Sequence, residues 1–527
     1  MGKKYIEFID EISQDELYEG LLGHGFWPDK LPPIFTSIQF LDYCKTRSNP
    51  FNAEWSEYIT FRVTRNIGIP RIMGVPNPFQ YERMCAELRD DWENLKLHFR
   101  EQTENQNYRV SRIHIRKKRE VGRIFEMNYK DWKVDGNPEL DLLIHDKGTS
   151  RILVKADIST CFPSIYTHSI PWALVGKDVA KQNIGREYWY NKIDEVCSVM
   201  KNGETHGLLI GPHASNLLSE IILVVVDKEL YNKGYRYIRH IDDYECYLDS
   251  YDAAQLFLRD LESALNKFDL LLNHKKTQVI SLPIEVDKDW KNILRDLPYV
   301  DVSGKVKYPQ VNTYIDTALK LATNTGDMAI LNYAIKKLKS MRLSTPAKIL
   351  AAKRFMHISV IYPYLLQLME EYVFEPYQVD INTIKSFSDT IYRDAVRVND
   401  YTSLYYAIYF AIRFDFVLEV FDEDWSSAQD YVIESRDCLL LVMTWLYFMK
   451  QNRGRRRATQ LRRLNNFAKE LKRSDMNRYW LFCYEVLTSG NLSGEWQSMK
   501  RADISFIESD IRIVYLIVRL SFRLKYC

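Results

Sequence analysis

Two short runs, "YRYIRH" and "YECYL", are joined through a pair of aspartates, Asp242 and Asp243, and no other stretch constrains the fold as tightly. Runs rich in Tyr, Ile, Cys and Leu on either side of a polar break read as the strands of a hairpin. Two adjacent carboxylates at its tip either sit in a solvated turn, where Asp is common, or face something that compensates their charge. The chain supplies its own comparison. Asp90 and Asp91 also stand together, but on an amphipathic helix with Asp90 opposite Leu88 and Trp92, where they read as solvated. The hairpin pair differs because Asp157 ends the strand-like "SRILVKAD" 85 residues upstream. There Ile152, Val154 and Ala156 face one way and Lys155 and Asp157 the other. If strand and hairpin lie side by side in one sheet, the carboxylates converge and repel each other in a low-dielectric site. Divalent cations relieve that repulsion. Mg²⁺, hard and octahedral, is commonly shared between one or two carboxylates and substrate phosphates. Two such ions about 3.5–4 Å apart clamp the attacking and leaving oxygens of a phosphoryl displacement.

The remaining pattern predicts an α+β chain of two parts. Residues 1–290 mix helix and strand, and residues 300–527 read almost wholly as helix, with the junction near "LPYVDVSGKVKYPQ". In the first part "PNPF" opens a helix on which Tyr81, Met84, Cys85, Leu88, Trp92, Leu95 and Phe99 recur at helical spacing. "YRVSRIHIRKKREVGRIFEM" follows as a basic β-hairpin. "GPHASNLLSEIILVVVDKELYNKG" reads as a helix with Pro212 near its first turn and Gly234 past its end. A further helix spans about Ala253 to Phe268. In the second part "SLYYAIYFAIRFDFVLEVF" is an amphipathic helix capped by Asn399, Asp400 or Thr402. Stacked helical hairpins of HEAT-like type are expected there, although no sequence period marks them.

With a formal net charge of +2 over 527 residues, no whole-molecule field points to nucleic acid or membrane, so such partners must be met by local patches. The start of the chain lacks an apolar segment of secretory length, and Ile6 stands where myristoylation wants Ser or Thr. The longest apolar run, Cys438 to Met449, is too short to cross a bilayer. Eight cysteines without paired CxxC spacing read as reduced thiols of a cytoplasmic protein, so neither a disulfide framework nor a zinc site is expected.

"VKADISTCFPSIYTHSIPWAL", "GLLIGPHASNLLSEIIL", "YIRHIDDY" and "LNHKKT" stand in the order and spacing of the palm of a reverse transcriptase, over residues 154–277. With "GVPNPFQYERM" and the long helical C-terminal part, the chain resembles the bacterial abortive-infection reverse transcriptases of the AbiK/AbiA type, prophage-borne members included. It departs at His240 from the pattern of reverse transcriptases in general, which usually carry Tyr two places before the paired aspartates. The resemblance implies fingers and palm over 1–290, and a helical domain in place of a usual thumb over 300–527.

It also implies roles. Asp157 and Asp242 are the ligands of two Mg²⁺ ions, with Mn²⁺ able to substitute. Asp243 completes the catalytic set, although a neighbouring strand residue points to the other face and so tunes the site rather than binding both ions. Phe162 is the steric gate against a ribose 2′-hydroxyl; the plain alternative is a core aromatic on a strand. Gly211, Pro212 and Ser215 support the incoming nucleotide or simply begin a helix. Lys276, with Lys275 as rival, neutralises the triphosphate or belongs to a solvated basic turn. Arg112 and Arg123 stand for a basic hairpin that reaches nucleotide phosphates or is only a solvated face. A second basic run, residues 450–478, carries eleven Lys or Arg against Glu470 and Asp475. It is a phosphate track or an electrostatic contact within or between chains.

The function so implied is DNA synthesis from dNTPs without a template, primed by a protein hydroxyl, in bacterial defence against phage. The product is single-stranded DNA, covalently attached to a homo-oligomer (trimer or hexamer), with no membrane involved. Thirty-five tyrosines offer priming hydroxyls and none is singled out. Against this stand a templated reverse transcriptase copying a dedicated RNA, a palm-fold nucleotide cyclase, and a nucleic-acid-binding scaffold with a retired palm. The cyclase prefers a Gly-rich acidic hairpin, and Phe162 argues against its ribonucleotide substrate.

Overall fold

The computed structural model describes residues 3–65, 69–112, 115–117, 150–284, 289–301, 304–450 and 454–509. The chain divides into two compact units, one of Met1–Pro28, Thr36–Ile59 and Gly74–Val286, the other of Asp29–Phe35, Thr60–Met73 and Asp287–Cys527. Two short N-terminal segments thus cluster with the later half of the sequence.

Strands β1 (Ile59–Val63) and β2 (Arg71–Val75) form a two-stranded ribbon. The first unit is built on a four-stranded antiparallel sheet. Its strands are β3 (Ile152–Asp157), β4 (Arg236–His240), β5 (Asp243–Leu248) and β6 (Gln278–Ser281), in the order β4-β5-β3-β6. Alternation explains its two faces. Leu153, Ile238 and Tyr247 pack together on one face. On the other, the Tyr237 ring lies 5.8 Å from Tyr244 and 6.1 Å from Phe257 of helix Tyr251–Asn266. Helix Ala214–Asn232 buries apolar residues around most of its circumference, as a helix inside a core must. Two acids on it, Glu220 and Asp227, are buried as well.

The long helix expected after Pro76 is two helices, Pro78–Asp90 and Trp92–Thr103, broken at Asp91 (φ −95°, ψ 13°). The apolar spacing continues through the break because Trp92 is fully buried and donates its indole N–H to the Ile12 carbonyl at 2.8 Å. Asp90 is exposed, as expected, whereas Asp91 is half-buried and burial pushes its carboxyl up. The helix at "SLYYAIYFAIRF" covers Tyr401–Phe414 with Asp400 as its cap, accepting from the Thr402 N–H. Asp415, at φ 56°, ends it, and a short helix Glu419–Glu423 follows instead of a continuation.

Apart from the portions of β1 and β2 that fall in it, the described part of the second unit is built of helices. Its basic run is partly consumed inside the unit. Arg457 donates to the carbonyls of Phe448 and Met449 at the end of helix Cys438–Lys450. Arg463 pairs with Asp430, and Lys472 donates to the Asn491 carbonyl. Arg462, Asn466, Lys469 and Arg473 recur at helical spacing along Gly454–Asp475. The seven described cysteines are free and buried. Among the described residues no helix is long and apolar enough to cross a membrane.

Asp437 shows how this unit spends a buried charge. Its carboxylate caps helix Cys438–Lys450 through the Leu440 N–H (2.8 Å) and accepts the Tyr405 hydroxyl (2.8 Å). Burial nevertheless pushes its pKa up to about 6. A carboxyl raised in the folded state favours folding at low pH, and that contribution is lost as pH rises from about 4 through 6, amounting to about 3 kcal/mol. Asp437→Asn keeps the cap and removes the titration. Melting followed at pH 4.5 and pH 7 is expected to show the variant gaining on the parent chain as pH rises.

Candidate active site

Strand pairing brings the acids together. β3 runs antiparallel to β5 with Asp157 directly opposite Asp243, and β4 runs antiparallel to β5 with His240 opposite Asp243. Directly opposed residues of an antiparallel pair share a face, so Asp157 and Asp243 project to the same side. Asp242 sits in the two-residue turn between β4 and β5, and its carbonyl accepts the Ile158 N–H at 3.2 Å. Asp157, Asp242 and Asp243 each offer a carboxylate oxygen within 4.8 Å of the others. The expectation that Asp243 faces away does not hold. Alternation applies only along a continuing strand, and Asp242 lies in the turn before β5 begins.

The turn is unusual. Ile241 has φ +58°, a left-handed conformation that a β-branched residue adopts only at a cost of about 1–2 kcal/mol. Two-residue hairpin loops need positive φ at their first central position, which is why Gly or Asn ordinarily fills it. Asp157 is held from the other side. Asn273 donates its side-chain amide to Asp157 Oδ2 at 2.9 Å and its backbone N–H to the Asp157 carbonyl at 2.7 Å. Lys276 Nζ lies 3.0 Å from the same Oδ2 while its side chain stays two-thirds exposed. Buried Cys161 lies near the trio; its thiol is pushed up by burial first and by the Asp242 charge second.

Behind the turn is a buried ion cluster. Arg239 is fully buried and bonds both carboxylate oxygens of Asp227 and both of Glu220, at 2.5–3.2 Å. Tyr237 and Tyr5 donate their hydroxyls to Asp227 and Glu220, each at 3.0 Å. Burial pushes the Glu220 carboxyl up, and Arg239 opposes that shift. Sequence reasoning passed over Asn273, Glu220, Asp227 and Arg239. Asn273 stood inside a quoted motif. Glu220 and Asp227, seven residues apart on one face of a helix and flanking the apolar run between them, were the available signal for a buried cation.

Phe162 is half-buried on a one-turn helix, Cys161–Ser164, rather than on a strand; its carbonyl accepts the Leu208 N–H at 2.8 Å. Gly211, Pro212 and Ser215 lie at the entry to helix Ala214–Asn232, which starts two residues after Pro212. Ser215 donates to the Leu209 carbonyl at 2.6 Å, and with Pro212 it lines a small internal cavity shared with Tyr81, Cys197 and Leu218. Arg112 is buried, with its backbone N–H on the Arg239 carbonyl at 2.7 Å. Val110 accepts from the Arg239 N–H, so residues 110–112 add to the edge of β4. Of the neighbouring cations, Arg109 covers the Phe8 ring at 4.7 Å, Arg116 is buried and Lys117 pairs with Glu16. Arg123 lies outside the described residues. His240 is buried at the end of β4.

Three carboxylates at one sheet end are a hard-oxygen donor set that fits a divalent cation and lacks the sulfur or imidazole that zinc favours. Residues 105–311 match the sequence family described as reverse transcriptase (RNA-dependent DNA polymerase). A reverse transcriptase domain is therefore present over these residues, and domains of that family use divalent metal ions. No curated protein matches the chain. Among solved structures, the chain is similar to apo telomerase from Candida tropicalis truncated from its C-terminal domain (14% identity, 47% of this chain and 54% of that chain, TM-score 0.29). It is also similar to apo telomerase from the same organism (12%, 75% and 69%, TM-score 0.31). A third is telomerase from Candida albicans in complex with a fragment of telomeric RNA (11%, 75% and 62%, TM-score 0.30). The chain spans about half the length of the first.

Gly211 gives a direct check of the entry loop. It has φ +139°, and an added Cβ would stand 2.7 Å from Pro28 Cγ and 2.9 Å from the Gly74 carbonyl oxygen. Gly211→Ala is expected to lower stability by more than about 1 kcal/mol in chemical denaturation.

Proposed function

We propose that this chain is a metal-dependent DNA polymerase of reverse-transcriptase type. The observation that carries the reading is the convergence of Asp157, Asp242 and Asp243 from separated parts of the chain. The reaction is attack of a primer hydroxyl on the α-phosphate of a dNTP, with pyrophosphate leaving. Asp157 and Asp242 would hold the cations, with Asp243 beside them. Mg²⁺, or Mn²⁺ in its place, supplies charge neutralisation and Lewis acidity at that phosphate when bound. Lys276 brings an exposed ammonium within reach of the triphosphate charge. Phe162 excludes a 2′-hydroxyl beneath the sugar. Gly211, Pro212 and Ser215 shape the support under the base, and the basic segment that contains Arg112 and Arg123 supplies cations for the nucleotide phosphates, although the Arg112 side chain itself is buried.

The finer reading is template-independent, protein-primed synthesis by a homo-oligomer in bacterial defence against phage, in the cytoplasm. It takes residues 1–290 as fingers and palm and the helices of 300–527 as a HEAT-like array. Support comes from the motifs shared with abortive-infection reverse transcriptases, and from many tyrosine hydroxyls able to serve as primers. Templated synthesis on a dedicated RNA is the second reading, favoured by the match to an RNA-dependent family.

Purified chain incubated with Mg²⁺ and labelled dNTPs, without template or primer, separates the two on a denaturing gel. Label that runs with protein and shifts on proteolysis supports protein priming; incorporation only after RNA is added supports templating. Asp157→Ala and Asp242→Ala are each expected to cut incorporation about 10³-fold or more, equivalent to several kcal/mol. Undiminished synthesis by either would refute the polymerase assignment. Phe162→Ala is expected to admit ribonucleotides, measured as the ratio of rNTP to dNTP incorporation.

A further inference from the structure

The guanidinium of Arg239 has five N–H donors in a fixed plane, and all five are accounted for. Nε bonds Asp227, Nη2 bonds Asp227 and Glu220, and one Nη1 donor bonds Glu220. The fifth leaves the ion cluster: Nη1 donates to the carbonyl oxygen of Ile241 at 2.8 Å. Ile241 is the left-handed residue of the turn and immediately precedes Asp242. Four donors thus lock the guanidinium to helix Ala214–Asn232, and the remaining one grips the single peptide whose orientation determines where Asp242 points.

A buried ion cluster is weak evidence of a stabilising role, because well-packed apolar groups often replace such clusters at no loss. What apolar groups cannot supply is a donor aimed at a strained carbonyl. The backbone on either side of Arg239 is also fixed: its N–H donates to the Val110 carbonyl at 2.9 Å, and its carbonyl accepts the Arg112 N–H at 2.7 Å. The side chain therefore starts from a rigid strand, ends on two anchored carboxylates, and has no slack to let the turn relax.

We propose that Arg239 is a positioning residue for the carboxylate trio: anchored on Glu220 and Asp227, it holds the left-handed Ile241 peptide so that Asp242 faces Asp157. This rests on the trio being a cation site, and the test separates the two claims. The probe is Mn²⁺, titrated into the full chain and followed by the electron paramagnetic resonance of the free ion, with melting and circular dichroism run alongside.

Asp157→Ala removes the tight Mn²⁺ site; if Mn²⁺ binding is unchanged in that variant, the cation reading falls and this proposal with it. Arg239→Lys, folded by both criteria, weakens Mn²⁺ binding about tenfold, as loss of a partner that orients a ligand does. Adding Ile241→Gly to Arg239→Lys restores most of that loss, because glycine takes the positive φ without help. Parent-like Mn²⁺ affinity in folded Arg239→Lys overturns the proposal, and so does a double variant no better than the single one. Should Arg239→Lys not fold, Glu220→Gln carries the same comparison: it weakens Mn²⁺ binding, and unchanged affinity in the folded variant overturns the proposal.

Discussion

Antiparallel pairing of β3 with β5, in the register that sets Asp157 against Asp243, is the interaction on which the site depends. A slip of one residue would turn every side chain of one strand to the opposite face, parting the two carboxylates and moving Leu153 and Tyr247 out of the same apolar cluster. Burial of that cluster therefore enforces the register, and the register builds the site. Lys155 opposite Glu245, with an ion pair of 3.0 Å, agrees with the same alignment. Because the pair is part-exposed, it serves alignment more than stability.

The site is held rigid from three directions. Asn273 fixes Asp157 through side chain and backbone. The Ile158 N–H ties the end of β3 to the Asp242 carbonyl. The ion cluster of Arg239, Glu220 and Asp227 backs the turn. Repulsion among three carboxylates would otherwise spread a flexible turn, and a positive-φ isoleucine would otherwise relax. The repulsion among the three acids and the cost of the turn are thus opposed by the same few hydrogen bonds.

Much was legible in the linear order of residues. The hairpin and the strand ending at Asp157 follow from short apolar runs, and the helix from Ala214 follows from Pro212 near its start and Gly234 past its end. The resemblance singles out Lys276, with a solvated basic turn as the alternative, and the structure sets its ammonium against Asp157. Less legible were the break at Asp91, whose neighbours keep a helical spacing straight through it, and the short helix that carries Phe162. The basic segment beginning at Arg109 looks like a charged face, yet Arg109 lies over a ring while Arg112 and Arg116 are buried. Charge along a sequence does not say which side chains fold inward.

By itself the sequence determined which local segments form strands and helices, because periodicity and capping act between residues a few positions apart. It also determined which acids were available to meet. Only the tertiary structure decided that Asp243 joins Asp157 on one face, that Ile241 is left-handed, and that Glu220 and Asp227 close on Arg239. Those outcomes depend on register and packing between segments far apart in the chain, where burying apolar surface, not local propensity, selects the arrangement.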